Sequence, residues 1–138
     1  MKSPMFAILL MLMALPFSTQ AQSSDVQAIE KVLTDYMLGS AERDADRVVS
    51  AFHPEAKMKY LRDGAYNEVN AREFFGDAKP GPKLERTNEI VSIDISGYVA
   101  MAKLRLKYED KQFTDYMTLM KVDGKWAIIN KAFYFGEL

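Results

Sequence analysis

YVAMAKLRLKY, residues 98–108, carries an apolar or aromatic side chain at every second position. That period of two predicts a β-strand with one buried face and one face that is at least partly wet. Similar alternating patterns lie on either side of this stretch, and they are separated by turn residues at Ser96-Gly97 and Asp123-Gly124. The last fifty residues therefore predict four consecutive antiparallel strands, over residues 84–95, 97–108, 112–122 and 126–135.

Helical patterns precede this sheet. Ser24 opens a capping box before apolar residues at helical spacing, and we expect that first helix to end at Gly39. Asp44 is the expected cap of a second, shorter helix, which His53-Pro54 stops.

Between the second helix and the four-strand sheet, the spacing of the apolar residues along the sequence changes twice. From Lys57 a short hairpin turns at Asp63-Gly64, and Asn70 then opens a third helix that carries Phe74 and Phe75. Helices segregated from a curved antiparallel sheet predict an α+β domain, with a conical cavity between the long helix and the sheet.

Composition excludes several kinds of site. The 138 residues include no Cys and one His, and the formal net charge is −1. Disulfides, thiolate nucleophiles and multi-imidazole metal sites are therefore excluded, and nucleic acid is not an expected partner. Glycine-rich phosphate loops and zinc-binding helix motifs are absent from the sequence, so we expect no cofactor and no metal.

The first 21 residues have the pattern of a cleaved secretory signal. Lys2 precedes an apolar run, Pro16 breaks it, and Thr19 and Ala21 are small residues suited to cleavage before Gln22. This predicts a single domain over residues 22–138 that is periplasmic or extracellular and has no membrane span. The last strand is apolar on both faces, so we expect a homodimer through the outer face of the sheet.

Three strings resemble the nuclear transport factor 2-like superfamily, in particular its SnoaL-like and lumazine-binding-like branches. They are residues 52–56 (FHPEA), 114–119 (TDYMTL) and 122–131 (VDGKWAIINK), and the likeness covers residues 25–135. It implies a cone-shaped α+β fold. It does not imply one activity, because the superfamily holds isomerases, dehydratases, epoxide hydrolases, ligand binders and interaction domains.

Ketosteroid isomerases of this superfamily can be compared residue by residue. Their oxyanion tyrosine falls on Tyr36, but their aspartate base falls on Tyr60 and their proton-donating aspartic acid falls on Thr118. A phenol titrating near 10 is a poor base at neutral pH. We therefore do not expect steroid-isomerase chemistry.

In the same register, seven side chains are predicted to line one cavity, with His53 at its lip: Tyr36, Tyr60, Tyr116, Thr118, Ile129, Lys131 and Phe133. Because successive side chains of a strand point to opposite faces, Asp115 is then predicted to point away from the cavity. Lys131 is either a desolvated base or nucleophile, or a side chain that reaches the rim and pairs with Glu55 or Glu137.

These residues favour a domain that binds a small apolar or aromatic molecule without a catalytic set. One alternative is an isomerase or dehydratase in which Tyr36 and Tyr60 polarise the substrate and Lys131 or His53 is the base. The other is an interaction domain whose cavity is filled by its own side chains.

Overall fold

The computed structural model describes residues 17–138, which form an α+β domain in which a curved, unclosed six-stranded sheet packs on a long helix. The helices are α1 (Phe17–Glu42), α2 (Ala45–Ser50) and α3 (Ala71–Gly76). The strands are β1 (Phe52–Arg62), β2 (Ala65–Asn70), β3 (Thr87–Ser96), β4 (Val99–Lys107), β5 (Lys111–Val122) and β6 (Lys125–Glu137). The predicted fold class, element order and four-strand meander are confirmed.

The sheet order is β2-β1-β6-β5-β4-β3, and one pairing differs from the wholly antiparallel sheet that was expected. β1 pairs with β6 in parallel, with Met58 opposite Lys131. The long connection through α3 and the meander supplies the crossover that a parallel pair needs. Because of this pairing, β6 lies in the middle of the sheet, between β1 and β5.

Helix α1 is longer than its capping pattern indicated. It begins at Phe17 rather than near Ser24, and it ends at Glu42 rather than at Gly39. Gly39 has a packing role instead, since a Cβ there would lie 2.9 Å from Cγ2 of Val48 on α2. The predicted signal segment lies mostly outside the described residues, and its cleavage point falls within α1.

The short helices begin where the sequence predicted. The Asp44 side chain accepts a hydrogen bond from the backbone N of Arg47, and the Asn70 side chain accepts one from the N of Glu73. β1 begins at Phe52, earlier than the Lys57 expected. An irregularity between Phe52 and Lys57 accommodates the proline there, because a proline is tolerated where the ladder is interrupted.

The core lies between α1 and the concave face of the sheet. Ile29, Leu33, Tyr36 and Met37 recur at helical spacing and are buried. They pack with residues of β4, β5 and β6, the most deeply buried being Leu104, Met117, Leu119 and Ile128. Within residues 17–138, no helix combines the length and apolar character needed to cross a bilayer.

Candidate functional site

Three polar side chains meet inside the core. The carboxylate of Asp115 accepts a hydrogen bond of 2.7 Å from the Tyr36 hydroxyl and one of 2.8 Å from the Lys131 ammonium. Asp115 is 0% exposed and the other two are 3% exposed. We call these three residues the buried cluster. Every buried side-chain nitrogen and oxygen atom in the described part of the chain has a hydrogen-bond partner, so no polar atom of the cluster is left without one.

Strand phase explains how Asp115 enters the core. In β5 its neighbours on the same face are Phe113 and Met117, and its cross-strand partner on β4 is the buried Leu104. The expectation that Asp115 points outward is therefore wrong. Tyr116, expected to face inward, is 47% exposed on the opposite face, beside Lys103.

Burial and charge change the proton affinities of the cluster. Desolvation lowers the pKa of Lys131 from its ordinary 10.5, although the charge and hydrogen bond of Asp115 oppose that shift. Desolvation, and secondly the charge of Asp115, raise the pKa of Tyr36 well above 10.0. Tyr36 therefore remains a neutral hydrogen-bond donor at physiological pH, and Lys131 pairs with Asp115 rather than with Glu55 or Glu137.

An open cleft of about 540 Å³ lies next to this cluster. Tyr60 and Phe133 stack with ring centroids 5.2 Å apart, and Phe113 lies 5.8 Å from Phe133 and 5.0 Å from Phe135. These four rings form what we call the aromatic wall. The remaining lining residues are Met58, Leu61, Arg62, Asp63, Phe74 and Lys111.

Phe133 joins the cleft to the buried cluster. Its ring lines the cleft, and the Lys131 Nζ lies 3.9 Å from its centroid. A cation over an aromatic face is attracted by the ring quadrupole. Lys131 therefore supports the aromatic wall from behind but does not itself line the cleft.

Arg86 fixes the helix over this assembly. Its guanidinium donates to the Met37 carbonyl and to Oγ of Ser40 on α1, and to the Tyr108 hydroxyl at the end of β4. These charge-assisted bonds tie the C-terminal part of α1 to the sheet.

The structure separates the residues that were predicted to share one cavity. Tyr60 and Phe133 line the cleft, whereas Tyr36 and Lys131 lie in the buried cluster. Tyr116 and Thr118 lie on the outer face, and Ile129 is an unpaired residue between Ile128 and Asn130 in β6. His53 is not among the cleft residues, and its Nδ1 accepts a hydrogen bond from the backbone N of Glu55. The expected hollow shared by Tyr36, Tyr60 and Thr118 is therefore wrong.

Sequence reasoning missed the other half of the cleft. Phe113 and Phe135 complete the aromatic wall, and they pair directly across β5 and β6. A usable signal was present, since Phe113, Met117 and Leu119 form an apolar period-two row that includes Asp115. Among residues 17–138, no three His, Asp or Glu side chains come together as metal ligands.

Comparison with known proteins identifies the family of this chain. The family described as "Putative lumazine-binding" matches residues 24–134. The chain belongs to that family. The nuclear transport factor 2-like fold implied by the sequence strings is confirmed by the solved structures that resemble it.

Two solved structures illustrate the likeness. An NTF2-like protein from Shewanella baltica OS155 is 27% identical, with a TM-score of 0.73 over 83% of this chain and 95% of that one. An NTF2-like protein from Methylobacillus flagellatus KT is 28% identical, with a TM-score of 0.72 over 82% and 93%. Among curated relatives, Aldolase FrzH from Cladobotryum sp is 21% identical over an alignment of 115 residues that covers 81% of this chain and 92% of that protein.

Proposed function

We propose that the protein binds a small, flat aromatic or apolar molecule in the cleft, stacked on the aromatic wall, without covalent chemistry. The observation that carries this proposal is the continuous wall of four rings beside about 540 Å³ of open space. Ligand sites are typically concave, mostly apolar and furnished with a few polar groups, and this cleft has that composition.

The buried cluster supports the same proposal. With Asp115 and Lys131 paired and sealed, the side of the cone behind Phe133 is already occupied by the protein's own groups. Lys131 is fixed behind the Phe133 ring, so the wall is pre-organised and a ligand loses less ordering entropy on binding.

Two measurements test this function. Native mass spectrometry of protein purified from its own source should show a retained small molecule. Calorimetric titration with bicyclic aromatics, including lumazine, which the family description names, should show saturable binding.

Matched variants locate the site. Phe133→Ala should weaken binding about tenfold, from lost stacking and contact area worth on the order of 1.4 kcal/mol. Tyr134→Ala is the control, because Tyr134 is the next residue of β6 and is 70% exposed. Equal effects of the two substitutions, or no saturable binding by any probe, would refute the cleft as the site.

An acid–base enzyme is a second candidate, favoured by one observation. The Lys131 side chain lies one ring away from the cleft, and burial lowers its pKa, which favours the neutral amine that a base requires. A relative that is 21% identical is named an aldolase, and this agrees with an enzymatic use of the cleft. Turnover of carbonyl compounds that is lost in a folded Lys131→Met variant which still binds them would establish this candidate. Binding without turnover of any such compound would exclude it.

We also propose that the chain is exported and is cleaved near Ala21. The N-terminal pattern of one lysine, an apolar run and small residues before Gln22 supports this. Cell fractionation followed by N-terminal sequencing tests it, and an intact Met1 terminus on cytoplasmic protein would contradict it.

A homodimer through the outer face of the sheet is proposed as well. Met101 and Tyr116 are about half exposed there, on adjacent strands. Light scattering should report a dimer that Tyr116→Lys dissociates, and a monomeric wild-type protein would contradict the proposal. A dimer whose cleft binds no ligand would instead favour a pure interaction domain.

A further inference from the structure

Two cations flank the open end of the aromatic wall. On β1, Arg62 follows Tyr60 by two residues, and on β5, Lys111 precedes Phe113 by two residues. Side chains two apart in a strand share a face, so each cation continues a row of the wall. Both Arg62 and Lys111 line the cleft.

The sheet order sets where these cations lie relative to the rings. β6 runs between β1 and β5 and contributes Phe133 and Phe135. Arg62 and Lys111 therefore stand on either side of the strand that forms the middle of the wall. The Arg62 guanidinium lies 5.5 Å from the centroid of Tyr60 in the wall, and the Lys111 ammonium lies 5.2 Å from the centroid of Tyr108, which is not a wall residue.

Both cations remain available to a ligand. No salt bridge within 4.0 Å involves either one among residues 17–138. Glu137 is the cross-strand neighbour of Lys111 without making such a contact. Among the described residues, Asp63 is the one carboxylate that lines the cleft, so the formal charge of this lining is positive. That sign is local, because the whole chain has a net charge of −1.

We propose that the ligand of this cleft is a small aromatic carboxylate, with its ring on the aromatic wall and its carboxylate between Arg62 and Lys111. Arginine and lysine donors at the mouth form charge-assisted hydrogen bonds to a carboxylate, whereas the rings accept any flat apolar body. The inference rests on the proposed binding function and adds the charge of the ligand to it.

The test compares two probes of nearly the same shape, 2-naphthoate and 2-naphthalenemethanol, by calorimetry with the full folded domain. We expect naphthoate to bind about tenfold more tightly. Arg62→Gln and Lys111→Gln should each weaken naphthoate binding about threefold, as expected for partly exposed charged contacts, and leave the alcohol unaffected. Lys107→Gln is the matched control, since it removes one positive charge from the exposed end of β4, outside the cleft.

Each outcome has a distinct meaning. Equal affinity for the two probes would overturn the anionic preference while leaving the proposed binding function in place. Equal weakening by Lys107→Gln would also overturn it, because net charge alone would then account for the effect. If neither probe binds, and no other aromatic does, the proposed function itself fails.

Discussion

Removing the Lys131 ammonium should destabilise the fold far more than removing a surface charge. In Lys131→Met, the Asp115 carboxylate stays fully buried, and within residues 17–138 it retains only the Tyr36 hydroxyl as a side-chain partner. Breaking one side of a buried pair in this way costs about 3–5 kcal/mol. That is a large share of the total stability of a domain of this size, which is about 5–15 kcal/mol.

Urea unfolding at pH 7 measures this effect, with fluorescence of the single Trp126 as one probe and circular dichroism as another. With a urea dependence of about 2 kcal/mol per molar, the midpoint should fall by about 2 M. Lys31→Met is the control, because Lys31 pairs with Asp35 on the surface of α1 and its side chain is 76% exposed. Such exposed pairs contribute less than about 1 kcal/mol.

A triple variant separates charge from packing. Tyr36→Phe, Asp115→Leu and Lys131→Met together remove every polar group of the buried cluster. Apolar replacement of a buried ion pair is often neutral, or stabilising by about 1–4 kcal/mol, so the triple variant should regain the loss. If Lys131→Met costs no more stability than Lys31→Met, an uncompensated buried charge at Asp115 is refuted as the cause. A triple variant as unstable as the single one would show that packing, not an uncompensated charge, causes the loss.

Three features outside the cleft can also be tested by substitution. Gly39→Ala should lower stability by about 1–3 kcal/mol, because its Cβ would overlap Val48, whereas Gly76→Ala has its nearest contact at 3.8 Å and should be neutral in the same denaturation assay. Arg86→Met should cost about 3 kcal/mol, and Arg86→Lys should recover little of it, because an ammonium cannot make the same set of bonds. Hydrogen bonds from Trp126 and Lys121 hold the pKa of Asp25 below its ordinary 3.8, so its stabilising contribution is present above that pH and is lost as the pH falls through 3.8 and below. The free energy of unfolding, measured as the pH is lowered through the acid range, should therefore follow different curves in the wild type and in Asp25→Asn. Identical curves would contradict this.

The fold was predictable because its signals are local. The period-two rows of β4, the turns at Gly97 and Gly124, and the caps at Asp44 and Asn70 each specify their own element. The end of α1 was not predictable in this way. Gly39 looks like a helix terminator in sequence, and only the close approach of α2 shows that it serves packing.

The site was predicted less well than the fold, for two physical reasons. The alignment with ketosteroid isomerases predicted that Tyr116 and Thr118 point inward. The buried face of a strand is, however, the face that carries its apolar side chains, and in β5 that face also carries Asp115. A buried carboxylate has no sequence signature of its own. It becomes intelligible only when the tertiary fold brings Tyr36 and Lys131 within hydrogen-bond distance.

Ile129 marks a point in β6 where a residue could be lost without turning the strand over, because it is unpaired. Before it, Trp126 and Ile128 anchor the strand beneath the helix, and after it the alternation resumes one step out of phase, so that Lys131 and Phe133 also point to the concave side. Deleting Ile129 would join Ile128 directly to Asn130, and β6 would then alternate regularly with Lys131 and Phe133 still on the concave side. Deleting Ala132 instead would turn Phe133 and Phe135 onto the convex side, although no residue of the aromatic wall had been altered.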